Sequence, residues 1–126
     1  MNRKPTILII DDEKDFCHFM RMNLESTNKY KIFVSTNARS GIKTAIRKKP
    51  DLVLLDIMMP NISGFEVLQK LKENVNTISI PVIMLTALSD DESVAKAMGL
   101  YSHEYIVKPV EMDSLVSKID RVLLGR

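Results

Sequence analysis

Short apolar runs alternate along this chain with longer stretches of helical periodicity. Three runs, Ile7-Leu8-Ile9-Ile10, Leu52-Val53-Leu54-Leu55 and Val82-Ile83-Met84-Leu85, contain no alternating polar position. They predict strands buried on both faces, as in a parallel sheet. Two weaker strands are predicted over Lys31–Ser35, with Ile32 and Val34 on one face, and over Glu104–Val107. A helix is predicted over Lys14–Ser26, where Phe16, Phe19, Met20 and Leu24 recur at i, i+3, i+4, i+8 spacing. Further helices are predicted over Ala38–Lys48, Gly64–Asn74, Asp91–Met98 and Met112–Leu124. Pro50 and Pro81 each stand just ahead of a strand, where a helix must already have ended. The alternation implies an α/β fold: a five-stranded parallel sheet, doubly wound by βα repeated five times.

Composition narrows the class. The 126 residues suffice for one domain with a single core, so residues 1–126 are expected to form one unit. Eighteen basic against sixteen acidic residues leave a net charge of +2, too small to argue for nucleic acid or an anionic membrane. The single cysteine, Cys17, cannot form an internal disulfide, and a reducing cytoplasm suits it. The first apolar run spans four residues before two aspartates, too short for a signal peptide or a membrane span.

The ends of the expected strands carry the chemistry. In open α/β sheets a ligand sits beyond the carboxyl ends of the strands, where the strand order reverses. Here those ends read Asp11-Asp12-Glu13, Asp56, Thr86 and Lys108. If the first and third strands are neighbours, Asp11, Asp12 and Asp56 crowd together. Two carboxylates about 4 Å apart repel by roughly 4 kcal/mol at an effective dielectric of 20. An all-oxygen donor set of this kind suits a hard divalent cation, magnesium (Mg2+) first and Mn2+ as the alternative. Such a site can orient a phosphoryl donor, and a carboxylate can serve as the nucleophile. Taken singly, each acidic residue at a strand–helix junction is as well explained as a helix N-cap. Thr86 alone could merely end a strand, and Lys108 alone could be a solvated side chain. Together they point to one pocket, with the lysine aimed at a carboxylate or phosphoryl oxygen.

Ile9-Ile10-Asp11-Asp12-Glu13, Pro50-Asp51-Leu52-Val53-Leu54-Leu55-Asp56-Ile57-Met58-Met59-Pro60, Ser63-Gly64, Pro81-Val82-Ile83-Met84-Leu85-Thr86-Ala87 and Tyr105-Ile106-Val107-Lys108-Pro109 resemble, in order and spacing, the receiver domain of response regulators. This is the phosphoacceptor module of two-component signalling, with a flavodoxin-like fold shared with chemotaxis regulators. The resemblance implies that Asp56 is the phosphoacceptor. It implies that Asp12 binds the metal directly, Asp11 supports it, and Met58 offers its backbone carbonyl. Thr86 and Lys108 would contact the phosphoryl oxygens, and Tyr105 would be the aromatic switch residue. The Lys108–Pro109 bond would be cis. Implied partners are a sensor histidine kinase or phosphotransfer protein, and an output domain or downstream protein. Neither nucleic acid nor membrane would be bound by this domain, and a monomer or a phosphorylation-dependent dimer would fit. The domain would not be an enzyme beyond its own phosphoryl transfer and dephosphorylation.

Some positions depart from the family pattern. Tyr101-Ser102-His103-Glu104 replaces the usual glycine-alanine and acidic pair, Val110 stands where an aromatic is common, and Ser35, Ala38 and Gly41 replace alanine, glycine and alanine. All are expected to bear on the output face and none on the pocket. A phosphatase of the haloacid-dehalogenase kind would need an acid two positions after the nucleophile, and Met58 stands there. An unphosphorylated scaffold would not need the full pocket set. Arg47-Lys48-Lys49 reads as a solvated helix end. His18 and His103 are expected away from the acidic edge, and Cys17 is expected to pack rather than react. The methionines Met20, Met22, Met58, Met59, Met84 and Met98 are expected mostly in the core or at the pocket rim.

Overall fold

The computed structural model describes residues 3–87 and 104–125. Five strands, β1 (Thr6–Ile10), β2 (Lys31–Ser35), β3 (Leu52–Asp56), β4 (Val82–Ala87) and β5 (Glu104–Lys108), form one parallel sheet in the order β2-β1-β3-β4-β5. The helices among the described residues are α1 (Lys14–Ser26), α2 (Ala38–Lys48), α3 (Gly64–Lys72) and α4 (Met112–Gly125). The helix expected over Asp91–Met98 lies outside the described residues, as do Tyr101, Ser102 and His103.

The all-apolar strands feed two cores at once, because side chains alternate between sheet faces. Ile7, Ile9, Leu52, Leu54, Ile83 and Leu85 meet Cys17, Met20 and Leu24 of α1 and Leu115, Ile119 and Val122 of α4. Leu8, Ile10, Val53, Leu55, Val82 and Met84 meet Ala38 and Ala45 of α2 and Val67, Leu68 and Leu71 of α3. The sheet is therefore covered on both faces, which is why its strands tolerate no polar alternation.

Local signals set the helix ends. Asn37 caps α2 by accepting the Ser40 N–H at 2.8 Å, and Ser63 caps α3 by accepting the Glu66 N–H at 3.3 Å. Helix α2 stops at Lys49, which takes a left-handed conformation (φ 47°). Arg47 and Lys48 are exposed in its last turn, as a solvated helix end requires.

Two expectations need correcting. The buried stripe of α1 runs through Cys17, Met20 and Leu24, with Phe16 half-buried, while Phe19 is exposed. Phe19 sits one position before Met20, about 100° away around the helix, so both cannot face the sheet squarely. Met22 and Met58 are exposed as well, whereas Met20 and Met84 are core residues. Strands β3, β4 and β5 also run further than expected, so that Asp56, Thr86 and Lys108 lie within their strands rather than after them.

Candidate functional site

The chain steps from β1 to β2 on one side and then crosses to β3 on the other, so the strand order reverses between β1 and β3. Register brings the carboxyl ends level there: Ile10 pairs with Leu55, Asp56 with Leu85, and Ala87 with Lys108. Asp11 and Asp12 follow β1 directly. One carboxylate oxygen from each of Asp11, Asp12 and Asp56 lies within 4.8 Å of the other two. These three oxygens form an all-carboxylate set that could hold a divalent cation.

The three acids differ in surroundings. Asp11 is fully buried, and both of its oxygens are engaged: Oδ1 accepts the Glu13 N–H at 2.9 Å and Oδ2 accepts from Lys108 Nζ at 2.9 Å. Its own amide donates to the Ser35 carbonyl at 3.1 Å. Asp12 is half-buried. Asp56 is 4% exposed and accepts the Met58 N–H at 3.3 Å. Burial, and then the charge of Asp11, push the Asp56 carboxyl up to about 7, against the opposing pull of Lys108. Burial likewise raises Asp11, partly offset by the Glu13 amide and Lys108.

Lys108 is the cation of the pocket. Its Nζ stands 2.8 Å from Glu13 Oε1, 2.9 Å from Asp11 Oδ2 and 3.7 Å from Asp56 Oδ1. It also lies 4.3 Å from the centroid of the Phe16 ring. Burial disfavours the ammonium, but the bonds to Glu13 and Asp11 outweigh it and hold the group above the usual lysine range. The Lys108–Pro109 bond is cis. Thr86 is buried at the end of β4, beside Val107 in register.

The other anticipated residues fall at the margin. Met58 projects its side chain to solvent and turns its main chain toward Asp56. Tyr105 is half-buried against the α2/α3-side core, with Lys118 Nζ 5.7 Å from its ring. His18 is exposed on α1 and takes no part. Cys17 is 2% exposed and its Sγ lies 3.2 Å from the Asp11 carbonyl. Burial drives its thiol up to about 12, so it packs rather than reacts.

The sequence reading placed Glu13 at the acidic edge without giving it a role, and it missed other contributors. Glu13 occupies the capping position of α1 but makes no side-chain capping bond; its carboxylate reaches Lys108 instead. Phe16 walls the same ammonium. Ser35, expected away from the pocket, adjoins it through its main-chain carbonyl, a contact that any residue could make. Gly64 lets α3 close onto the backbone of Asp56 and Ile57. The run Asp11-Asp12-Glu13 held a hint of the first, since a third acid invites a cation.

A parallel sheet of order 2-1-3-4-5, with acids at its reversal point and a lysine opposite, defines a receiver-type α/β module. Residues 7–120 match the family model for the response regulator receiver domain, and the chain belongs to that family. It is 34% identical over 120 residues to the response regulator ArlR of Staphylococcus saprophyticus, covering 95% of this chain and 52% of that protein. It is 35% identical over 118 residues to the phosphate regulon transcriptional regulatory protein PhoB of Pseudomonas aeruginosa, covering 94% of this chain and 51% of that protein. The chain thus spans about half the length of these curated relatives. Among solved structures, the chemotaxis protein CheY4 of Vibrio cholerae superposes with a TM-score of 0.88 at 21% identity, covering 95% of this chain and 99% of that one. The signal receiver domain of a signal transduction histidine kinase from Syntrophus aciditrophicus superposes with a TM-score of 0.86 at 30% identity, covering 96% and 91%. The chain is a receiver domain of two-component systems with a flavodoxin-like fold. Among the described residues, no helix is long and apolar enough to cross a membrane.

Proposed function

We propose that this receiver is a phosphorylation-dependent switch that accepts a phosphoryl group on Asp56. The observation that carries the reading is the convergence of the Asp11, Asp12 and Asp56 carboxylates within 4.8 Å, with Lys108 beside them. A carboxylate oxygen of Asp56 attacks phosphorus; the bond from phosphorus to the donor's leaving atom breaks, that atom keeps the electron pair, and an acyl phosphate results. Asp12, Asp11, Asp56 and the Met58 carbonyl would hold Mg2+, with Mn2+ as a substitute; the donor set is all oxygen, as such a cation needs. Bound there, the cation supplies charge neutralisation for the transferring group.

The chain's own residues complete the pocket. Lys108 offsets the added negative charge, and Thr86 donates its hydroxyl to a phosphoryl oxygen. Tyr105 then repacks with Thr86, and the face around β5 and α4 alters its partner preference. Swinging a two-state switch from 1:99 to 99:1 takes about 5.5 kcal/mol. A few charge-assisted hydrogen bonds at roughly 1.5–3 kcal/mol each supply it. The donor would be a sensor histidine kinase, a phosphotransfer protein or a small phosphodonor, and the readout an output domain or separate target in the cytoplasm. Beyond its own phosphoryl transfer and hydrolysis, the domain would catalyse no reaction.

Incubation with a small phosphodonor such as acetyl phosphate tests the reading. Intact-mass spectrometry is expected to find a single Mg2+-dependent phosphoryl adduct in the wild type and none in Asp56→Asn. An adduct that persists in Asp56→Asn overturns the assignment.

A further inference from the structure

We propose that Glu13 is a positioning residue that draws Lys108 toward the rim of the pocket and competes with the phosphoryl group for it. The inference rests on the phosphoacceptor reading of Asp56 and adds a control on the same site.

The geometry of the ammonium carries it. Lys108 Nζ is closest to Glu13, at 2.8 Å, and nearly as close to Asp11, at 2.9 Å, but stands 3.7 Å from Asp56. The two close partners differ in kind. Asp11 is fully buried, and its second oxygen is tied to the Glu13 amide, so it cannot follow or release the lysine freely. The Glu13 side chain is 62% exposed and makes no capping bond to α1. Its carboxylate can therefore swing into water when Lys108 leaves. Phe16 lies under the ammonium at 4.3 Å and supplies a wall along which it can shift without being stranded.

Lys108 thus has one fixed partner and one exchangeable partner. A dianionic phosphoryl group on Asp56 would replace Glu13, not Asp11, as its second anion. Exposed ion pairs hold their partners only weakly, and removing one shifts an equilibrium by roughly two- to fivefold. Glu13 is therefore a modest brake on occupancy of the phosphoryl site, set by an exposed side chain outside the pocket's buried acids.

A double-mutant cycle read with beryllofluoride, a phosphoryl mimic, at fixed Mg2+ tests this. The variants are Glu13→Gln, Lys108→Met and the two combined, with circular dichroism confirming folding. Lys108→Gln takes the place of Lys108→Met should the latter not fold. Glu13→Gln is expected to bind beryllofluoride about threefold more tightly than wild type, and this gain is expected to vanish when Lys108 is replaced. A gain that persists without Lys108 overturns the proposal, because Glu13 would then act as a bare charge repelling the anion. Wild type and Glu13→Gln binding equally well overturns it while leaving the phosphoacceptor reading intact. Absence of any Mg2+-dependent binding by wild type overturns that reading, and this inference with it.

Discussion

The main-chain carbonyl of Asp56 lies 2.2 Å from the position that a β-carbon on Gly64 would occupy. The Ile57 Cα lies 2.7 Å from the same point, and the Gly64 N–H donates to the Ile57 carbonyl at 2.8 Å. Helix α3 thus begins by resting on the backbone that carries the acid. The obstacle is main chain rather than the end of a flexible side chain, so it cannot yield cheaply.

Gly64→Ala is therefore expected to destabilise the fold by about 2 kcal/mol through overpacking. It is also expected to displace the Asp56–Met58 backbone and weaken Mg2+ binding. Urea unfolding and a Mg2+ titration followed by NMR measure both. An unchanged midpoint and affinity would show that α3 can back away.

The buried Asp56 carboxyl sets a pH dependence. With its value raised from 3.8 to about 7, the folded protein keeps a proton there across a window in which the unfolded chain has lost it. Stability from this group is complete below about pH 4 and is lost as pH rises through about 7. The full difference corresponds to about 4 kcal/mol. In the presence of a chelator, the urea midpoint is expected to fall between pH 4 and pH 7, with Asp56→Asn removing most of that fall. A wild-type midpoint that rises across the same window would contradict the raised value.

Tyr30 ties the start of β2 to α4. Its hydroxyl donates to Asp120 Oδ1 at 2.5 Å, and Lys29 pairs with the same carboxylate. Tyr30→Phe leaves the buried ring in place but removes a hydrogen bond to a charged group, which is worth roughly 1.5–3 kcal/mol. Chemical denaturation is expected to show a loss in that range. No loss would mean that Lys29 and solvent satisfy Asp120 unaided.

Cys17 provides an accessibility check on the α1 face of the core. Being 2% exposed with a thiol pushed up to about 12, it is expected to react with a thiol reagent at neutral pH only as fast as the protein opens. Reaction in native buffer at the rate of a free thiol would show that α1 packs less closely than Met20 and Leu24 imply.

The strands, their parallel arrangement and the acid-bearing edge were legible in the chain itself. Uninterrupted apolar runs such as Leu52-Val53-Leu54-Leu55 are stable only when covered on both faces, and the alternation with helical periods allows few topologies. Helices α1 and α2 span the residues over which their helical pattern was read, because that pattern is local. The strand boundaries at Asp56, Thr86 and Lys108 were read short, since a polar residue looks like an end although a backbone ladder can include it.

What the chain order alone determined was which chemistry could gather at the sheet's carboxyl edge: acids after β1 and at the end of β3, a hydroxyl on β4 and an amine on β5. Only the tertiary structure decided how those groups divide their contacts. That Glu13 reaches Lys108 rather than capping α1, that Phe19 faces water while Cys17 faces the core, and that Gly64 presses on Asp56 all depend on how the segments pack in three dimensions. Periodicity specifies the face of an element, but the partner across a gap is fixed by packing, where differences of an ångström choose between equally plausible charges.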